Sequence, residues 1–302
     1  MTASDRVGSR ECQTGRVPDG PVRQESERGR WRVEERTASA AALHASWPSV
    51  EADPKTRAVA RCRPTASAVV LGSTQPSAAV DPRAALTVDV VRRRSGGGAV
   101  FVSPDDPVWL DVWVPAGDEL WDSDVTRAFD WLGATWVAAL DRMGLRELAV
   151  QGAGPGPSTR WATLVCFGGV SSGEVTIGGR KVVGLSQRRA RAGSWFHSAC
   201  VLHWDAEVLL GALALSEEER TAASGDLAAA VTGVADEVAQ RSWAVGTGSI
   251  GKGAVGADTR ADVIGGGTLP TAEMVTQAFL EGLPDGAVRI PPPHSTPGDT
   301  DR

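Results

Sequence analysis

The 302-residue sequence predicts an α+β fold, and three observations predict it. Short apolar runs of strand length crowd the middle of the chain. Apolar stripes with helical spacing are confined to a few places, mostly late in the sequence. No regular strand–helix alternation links the two kinds of segment, which argues against a doubly wound sheet. No internal repeat is visible.

Composition allows a large core and narrows the class. The chain is 42% hydrophobic and 23% charged, ordinary for an enzyme. A net charge of −6 argues against general nucleic-acid binding, because such a surface gains nothing from phosphate neutralisation. Of the 31 basic residues only Lys55, Lys181 and Lys252 are lysine, so a lysine inside a motif stands out from an arginine background. Cys12, Cys62, Cys166 and Cys200 show no C-x-x-C spacing, so no zinc site or other metal is expected. They are too sparse for a disulfide scaffold and read as free thiols of a cytoplasmic protein. No apolar run reaches membrane-spanning length and the N-terminus lacks a signal-peptide core, so neither membrane nor secretion is expected.

The elements follow in order. Residues 1–30 are polar and Gly/Pro-punctuated, and read as a disordered extension. Residues 37–46 suit a first helix. Residues 68–71, 88–91 and 99–103 read as strands, the last two flanking an arginine–glycine stretch. Residues 108–114 alternate: Val108, Leu110, Val112 and Val114 share one face, and Trp109, Asp111 and Trp113 the other. Val125, Phe129, Leu132, Trp136, Leu140 and Met143 form a helical stripe, capped by Ser123 or Asp124 and closed by Gly144. Residues 152–158 are loop and 161–167 read as a strand. Residues 174–183 form a hairpin around Gly178–Gly179. A strand follows over about 195–204, then a Ser216/Glu219 capping box. The last helices are expected over 226–239 and 271–281. The expected domain is 31–245. Residues 246–302 then comprise a Gly-rich linker, a short helix and a Pro-rich tail. Residues 246–253 mimic a phosphate-binding loop, but Gly253 stands where a hydroxyl is needed and no helix follows, so they read as linker.

Three segments carry chemistry. The first is Arg92-Arg93-Arg94-Ser95-Gly96-Gly97-Gly98-Ala99-Val100-Phe101. Three consecutive glycines are entropically costly to order, and suit a backbone that passes close to a ligand with its N–H groups facing an anion. The arginines supply charge and one can fork onto a carboxylate or phosphate. The second is the hairpin. A two-residue turn at 178–179 pairs Thr176 with Lys181 and puts Glu174 diagonal to Lys181. On spacing alone the simpler reading is a surface lysine paired with Glu174. The third is Cys166-Phe167, followed by Ser171 and Glu174. A cysteine before a Gly-Gly loop can serve as a nucleophile, although a lone cysteine after Leu164-Val165 is more commonly a buried small hydrophobe.

The strings say more than the spacing. Residues 92–101 resemble the RRxSGGGAVF signature of lipoate–protein ligases and octanoyltransferases, and Gly179–Gln187 resembles that family's GRKIxGSAQ motif. The resemblance implies a biotin/lipoate-ligase-like domain, a mixed sheet flanked by helices. It implies an acyl pocket lined by Arg93, Arg94, Ser95, Gly96, Gly97, Gly98 and Ala99, with Gly184 and Gln187 beside it, and Lys181 on the acyl carbonyl. Cys166, Phe167, Ser171 and Glu174 match the CFxxxSxxE segment of cysteine-type octanoyltransferases, whose cysteine forms the acyl thioester. The Arg-x-Asp-Leu segment common in ligases is not found.

That gives a lean towards a Cys166 octanoyltransferase that needs no cofactor, with acyl-carrier protein as donor. The alternative is a ligase using ATP and Mg. In both cases the acceptor is a lysine of a lipoyl domain, from a 2-oxoacid dehydrogenase or glycine-cleavage protein. His197 sits where the family carries a histidine and is a candidate for proton transfer or a structural role. Val102, Leu185 and Ser198 depart from the family pattern, which leaves open a non-catalytic acyl-binding protein. A biotin–protein ligase is disfavoured, because its GRGRxG segment is missing.

Overall fold

The computed structural model describes residues 24–25, 31–246, 263–264 and 267–284. In chain order the elements are β1 (Gln24–Glu25), β2 (Trp31–Ala38), α1 (Ala40–Ala45), α2 (Pro48–Ala52), β3 (Arg57–Pro64), β4 (Ala68–Leu71), β5 (Asp89–Arg92), β6 (Val100–Val102) and β7 (Val108–Pro115). Then come α3 (Asp130–Arg142), β8 (Leu148–Val150), β9 (Val175–Ile177), β10 (Arg180–Ala190), β11 (Gly193–Cys200), α4 (Ala206–Ala212), α5 (Glu217–Ala230) and α6 (Val234–Gly246). The hairpin β12 (Val263–Ile264) and β13 (Gly267–Thr268) and the helix α7 (Ala272–Gly282) complete the described chain.

The main sheet has eight strands in the order β1-β2-β3-β7-β11-β10-β9-β8. β2 and β3 are parallel and every other neighbour pair is antiparallel, so the sheet is mixed, as the resemblance implied. A smaller sheet, β5-β4-β6, lies apart from it. The alternation read over 108–114 explains why both faces of β7 are buried. Val108, Leu110, Val112 and Val114 join Leu132, Trp136 and Leu140 of α3 and Val275 and Phe279 of α7 in one core. Trp109 and Trp113 point the other way, into a core with Leu43, Trp47 and Val50 around α1 and α2. A third core joins Val69 and Leu71 of the small sheet to Trp161, Val165, Leu209 and Leu227.

Several expectations are corrected. Residues 161–167 form no strand. Leu164 and Val165 both donate to Trp161 O, winding a tight turn that a 3-10 turn at Cys166–Gly168 continues. An apolar run of that length fits a turn folded over a core as well as it fits a strand. The stripe helix begins only at Asp130; Asp124 instead accepts from Thr126 N ahead of a short 3-10 turn, and Val125 is exposed. The helix expected over 226–239 is broken at 231–233. There Thr232 N donates to Lys181 O and Val234 N to Val201 O, so two strand edges capture the backbone. The hairpin strand runs on to Ala190, and Asp205 caps α4. α7 is the helix expected over 271–281, and it packs in the main core with Trp136 and Phe279 centroids 4.6 Å apart. Both capping-box bonds of Ser216 and Glu219 are present. The readings of 1–30, 246–267 and 291–302 fall almost entirely outside the described residues. Among the described residues no helix is long and apolar enough to cross a membrane.

Candidate active site

The glycine segment leaves β5 and is folded back by Arg93. This side chain is buried, and its guanidinium donates to Gly96 O (Nε 3.1 Å, Nη2 2.8 Å) and to Gly98 O (2.9 Å). Arg93 therefore braces the loop from behind, where the sequence had suggested an arginine forked onto an anion. Arg92 is exposed yet engaged with Gly72 O, Gln75 O and Ser77 Oγ, and Arg94 is exposed as well. Gly97 has φ of +98°, a left-handed conformation that glycine adopts without penalty. A Cβ on Gly98 would stand 2.6 Å from the carbonyl carbon of Val165.

This closeness is stitched by two bonds, Ala99 N to Leu164 O (2.7 Å) and Cys166 N to Ala99 O (2.9 Å), a single parallel bridge joining the glycine loop to the cysteine turn. Among the described residues the N–H groups of Gly96, Gly97 and Gly98 have no acceptor, so they are available to an anion or oxyanion.

Cys166 opens the 3-10 turn and is half-buried, with Sγ 3.7 Å from Arg93 Nη2. Cys62 and Cys200 are fully enclosed, and burial pushes both thiols well above their ordinary pKa. Cys166 is thus the described thiol placed at a cleft.

Lys181 pairs with Thr176 across the hairpin as the turn predicts, yet it is buried. Its ammonium donates to Cys166 O (3.0 Å) and Gly169 O (2.9 Å) and meets Glu174 Oε2 at 2.7 Å. Three donors meet three protein acceptors. Glu174 in turn accepts from Ser171 N (2.7 Å) and Leu185 N (3.0 Å). The diagonal Glu174–Lys181 relation is present, but as an internal clamp on the cysteine turn, not a surface pair.

Two cavities meet at the thiol. A cleft of about 370 Å³ contains Gly96, Gly97, Gly98, Lys181 and Gln187, with its far wall formed by the 155–158 loop. A recess of about 50 Å³ lies behind it, walled by Val102, Trp109, Phe167, Gly184, Leu185 and Ala199. Arg93, Cys166, Leu185 and Ser186 belong to both. Gln187 Nε2 is buried without a partner at the cleft, while its Oε1 accepts from Arg189 Nε at 3.2 Å. Ser95 Oγ bonds Ser186 Oγ at 3.0 Å.

His197 lines the recess, not the cleft, and its Nδ1 is 2.6 Å from Asp111 Oδ1. Trp109 Nε1 donates to the same oxygen at 2.6 Å. Burial alone would raise the Asp111 carboxyl, but the charge and hydrogen bond of His197 outweigh it and hold it below the usual carboxylate range. His44 stacks on Trp109 at 4.4 Å, and desolvation, aided by His197, pushes its pKa down to about 3. Sequence reasoning missed Ser186, Asp111 and the 155–158 wall. A lone carboxylate in an otherwise apolar alternating strand was a readable signal for Asp111; the loop offered none. Among the described residues no group of three or more His, Cys, Asp or Glu is arranged to hold a metal ion.

A mixed sheet that places a glycine loop, a cysteine turn and a buried lysine around one cleft defines a catalytic domain of the lipoyl-transferring class. The chain belongs to the family of the lipoyl protein ligase A/B catalytic domain, whose family model matches residues 48–245. The fold is shared with a lipoate-protein ligase A solved bound with ATP, at 17% identity and TM-score 0.54, covering 84% of this chain and 83% of that one. It is shared too with a bi-partite lipoate protein ligase of Thermoplasma acidophilum, at 18% identity and TM-score 0.54, covering 83% and 82%. A T. acidophilum structure with bound lipoic acid matches at 17% identity and TM-score 0.52, over 82% and 80%. No curated protein sequence matches the chain.

Proposed function

We propose that this protein transfers a lipoyl-type acyl group to a lysine of a lipoyl domain through a thioester on Cys166. The observation that carries the reading is the position of the Cys166 thiol. It lies half-exposed where cleft and recess meet, on a turn bridged to the glycine loop whose three N–H groups lack acceptors among the described residues.

In the first step the Cys166 sulfur bonds the acyl carbon of a carrier-protein thioester, the donor's C–S bond breaks, and the thiol proton leaves with the departing thiolate. The glycine N–H groups face the oxyanion that forms. Lys181 acts by holding the carbonyls of Cys166 and Gly169, which fixes the turn and so aims the thiol. Gln187 Nε2 supplies a free donor to the bound group. The acceptor lysine then attacks the thioester, an amide forms, and the proton it sheds restores the thiol. Thioester to amide is downhill, so no nucleotide is required. Lipoyl domains of 2-oxoacid dehydrogenases or glycine-cleavage proteins are the acceptors this reading implies.

The second reading is an ATP-dependent ligase. Its support is the same row of unpaired glycine N–H groups, which suits an acyl-adenylate phosphate, together with exposed Arg94. Mg would there be carried mainly by the nucleotide phosphates.

One experiment separates them. The protein is mixed with a lipoyl domain and either octanoyl carrier protein or lipoate plus ATP, and the acceptor's mass is read. Acylation from the carrier thioester, lost in Cys166→Ala, is expected. Acylation only with ATP, undiminished in Cys166→Ala, would overturn the thioester route.

A further inference from the structure

We propose that Ser186, His197 and Asp111 form a proton relay for Cys166. His197 holds the proton that the thiol must shed, Asp111 orients and balances His197, and Ser186 links it to the thiol. The inference rests on the reading that Cys166 carries the acyl group.

A relay is needed because the thiolate, not the thiol, is the nucleophile. The neighbours of the thiol leave few places for its proton. The Lys181 ammonium spends its donors on Cys166 O, Gly169 O and Glu174. The Glu174 carboxylate is taken by Lys181, Ser171 N and Leu185 N. A guanidinium does not deprotonate in a protein, so Arg93, with Nη2 3.7 Å from Sγ, favours the thiolate without receiving its proton. Burial holds His44 neutral, with its pKa pushed down to about 3. Of the described titratable residues that line the cleft or the recess, His197 remains.

The sheet register supplies the path. Ser186 of β10 stands directly opposite His197 of β11, and His197 directly opposite Asp111 of β7. Opposed residues share a face, with Cβ atoms about 4.5–5.5 Å apart, so the three side chains form one row across three strands. At one end His197 Nδ1 is 2.6 Å from Asp111 Oδ1. The carboxylate accepts, so Nδ1 carries the hydrogen and Nε2 keeps its lone pair. At the other end Ser186 lines both cavities together with Cys166, and its Oγ bonds Ser95 Oγ at 3.0 Å. A hydroxyl donates once and accepts twice, as a relay requires.

The groups packed around the row suit it. Arg36 of β2 stands 3.9 Å from Asp111 Oδ2, the enclosed Cys62 of β3 adjoins the same carboxylate, and His44 of α1 lies edge-on to His197 with ring centroids 5.6 Å apart. Of these groups only Asp111 is an anion, so it supplies the counter-charge when His197 takes a proton.

The hydroxyl is a departure from the family motif. Where that motif reads Gly-Ser-Ala-Gln, this chain reads Gly184-Leu185-Ser186-Gln187. The hydroxyl has moved by one position, and on a strand one position is the opposite face. It now stands on the face of His197.

The proton is conserved through both steps. Cys166 Sγ passes its proton to Ser186 Oγ as Ser186 passes its own to His197 Nε2, leaving a thiolate and an imidazolium. The sulfur bonds the acyl carbon, the donor's C–S bond breaks, and the departing thiolate recovers the proton through Ser186. In the return step the acceptor amine sheds a proton to the relay as its nitrogen bonds the acyl carbon, and the relay hands that proton to the Cys166 sulfur.

Alkylation by iodoacetamide reads the thiolate without any acyl group. Its rate at Cys166 of the full chain is followed by peptide mass from pH 6 to pH 9. His197→Gln should slow it at least about tenfold at pH 7, with the gap closing towards pH 9, where hydroxide removes the proton instead. Ser186→Ala installs the residue of the family motif. It should slow alkylation roughly threefold or more with the same pH dependence and an unchanged melting curve. Wild-type rates in both variants would overturn the relay, and so would a loss as large at pH 9 as at pH 7. Should His197→Gln fail to fold, Ser186→Ala decides alone. The alkylation result stands whether or not Cys166 is acylated, so a protein alkylated as expected but never octanoylated sinks the transferase reading and not the relay.

Discussion

Lys181 Nζ and Glu174 Oε2 meet at 2.7 Å with both side chains buried. Removing both charged groups from water is expensive, and the pair is tolerable because every donor and acceptor around it is matched. Lys181 also donates to Cys166 O, so the pair ties β10 to the turn that carries that thiol. Lys181→Met should strand the Glu174 carboxylate and two carbonyls, costing about 3–5 kcal/mol in urea unfolding. The double variant Lys181→Met/Glu174→Gln should lose less than the two single losses added, by about 1 kcal/mol or more. Unfolding of Lys181→Met identical to wild type would show that the lysine serves substrate alone.

The glycine loop makes a sharper comparison between neighbours. A Cβ on Gly98 meets the Val165 backbone at 2.6 Å, whereas one on Gly96 meets nothing within 4 Å. Gly98→Ala must push the loop off the cysteine turn, and should cost about 1–3 kcal/mol and lower acyl transfer at least tenfold. Gly96→Ala should melt with wild type. Equal tolerance at both positions would mean that the loop is not stitched to residues 164–166.

Much of this arrangement was legible in sequence, and particular residues show why the rest was not. The alternation of 108–114 gave both faces of β7, because a period of two is visible wherever each face has its own core. The 178–179 turn placed Lys181 opposite Thr176, since a two-residue hairpin fixes register. What failed were segments whose conformation is set by distant partners. Residues 161–167 turn because Ala99 pairs with Leu164 and Cys166, and residues 231–233 break a helix because Lys181 O and Val201 O capture their backbone. In the site, the motifs named residues but not their duties. Arg93 and Lys181 were read as ligand contacts, and each also donates to backbone carbonyls, Arg93 to those three and five residues ahead and Lys181 to those of Cys166 and Gly169 on another segment.

The terminal helix offers a separate test. Phe279 is fully buried against Trp136, and Trp31 Nε1 donates to Pro284 O at 3.1 Å. Phe279→Ala should cost about 3–5 kcal/mol. Truncation after residue 246 should destabilise the domain further, since it also uncovers Trp136 and removes Val275. A truncated protein as stable as the full chain would show α7 to be dispensable to the core.

Stability should also fall on acidification, with His44 as the main cause. Its folded pKa of about 3 lies well below the value of about 6.5 expected in the unfolded chain. Between those values the unfolded state binds a proton that the folded state refuses, so stability rises with pH across this window and is lost as pH drops through it. The full difference is of order 5 kcal/mol. Asp111, whose carboxyl is held below the usual range, adds its loss only below about pH 4, in the same direction. His44→Phe keeps an aromatic ring over Trp109 and removes the titration. Its urea midpoint should therefore change less than that of wild type between pH 7 and pH 4.5. Parallel curves for the two proteins would show that the imidazole at 44 takes up a proton in the fold as readily as in the unfolded chain.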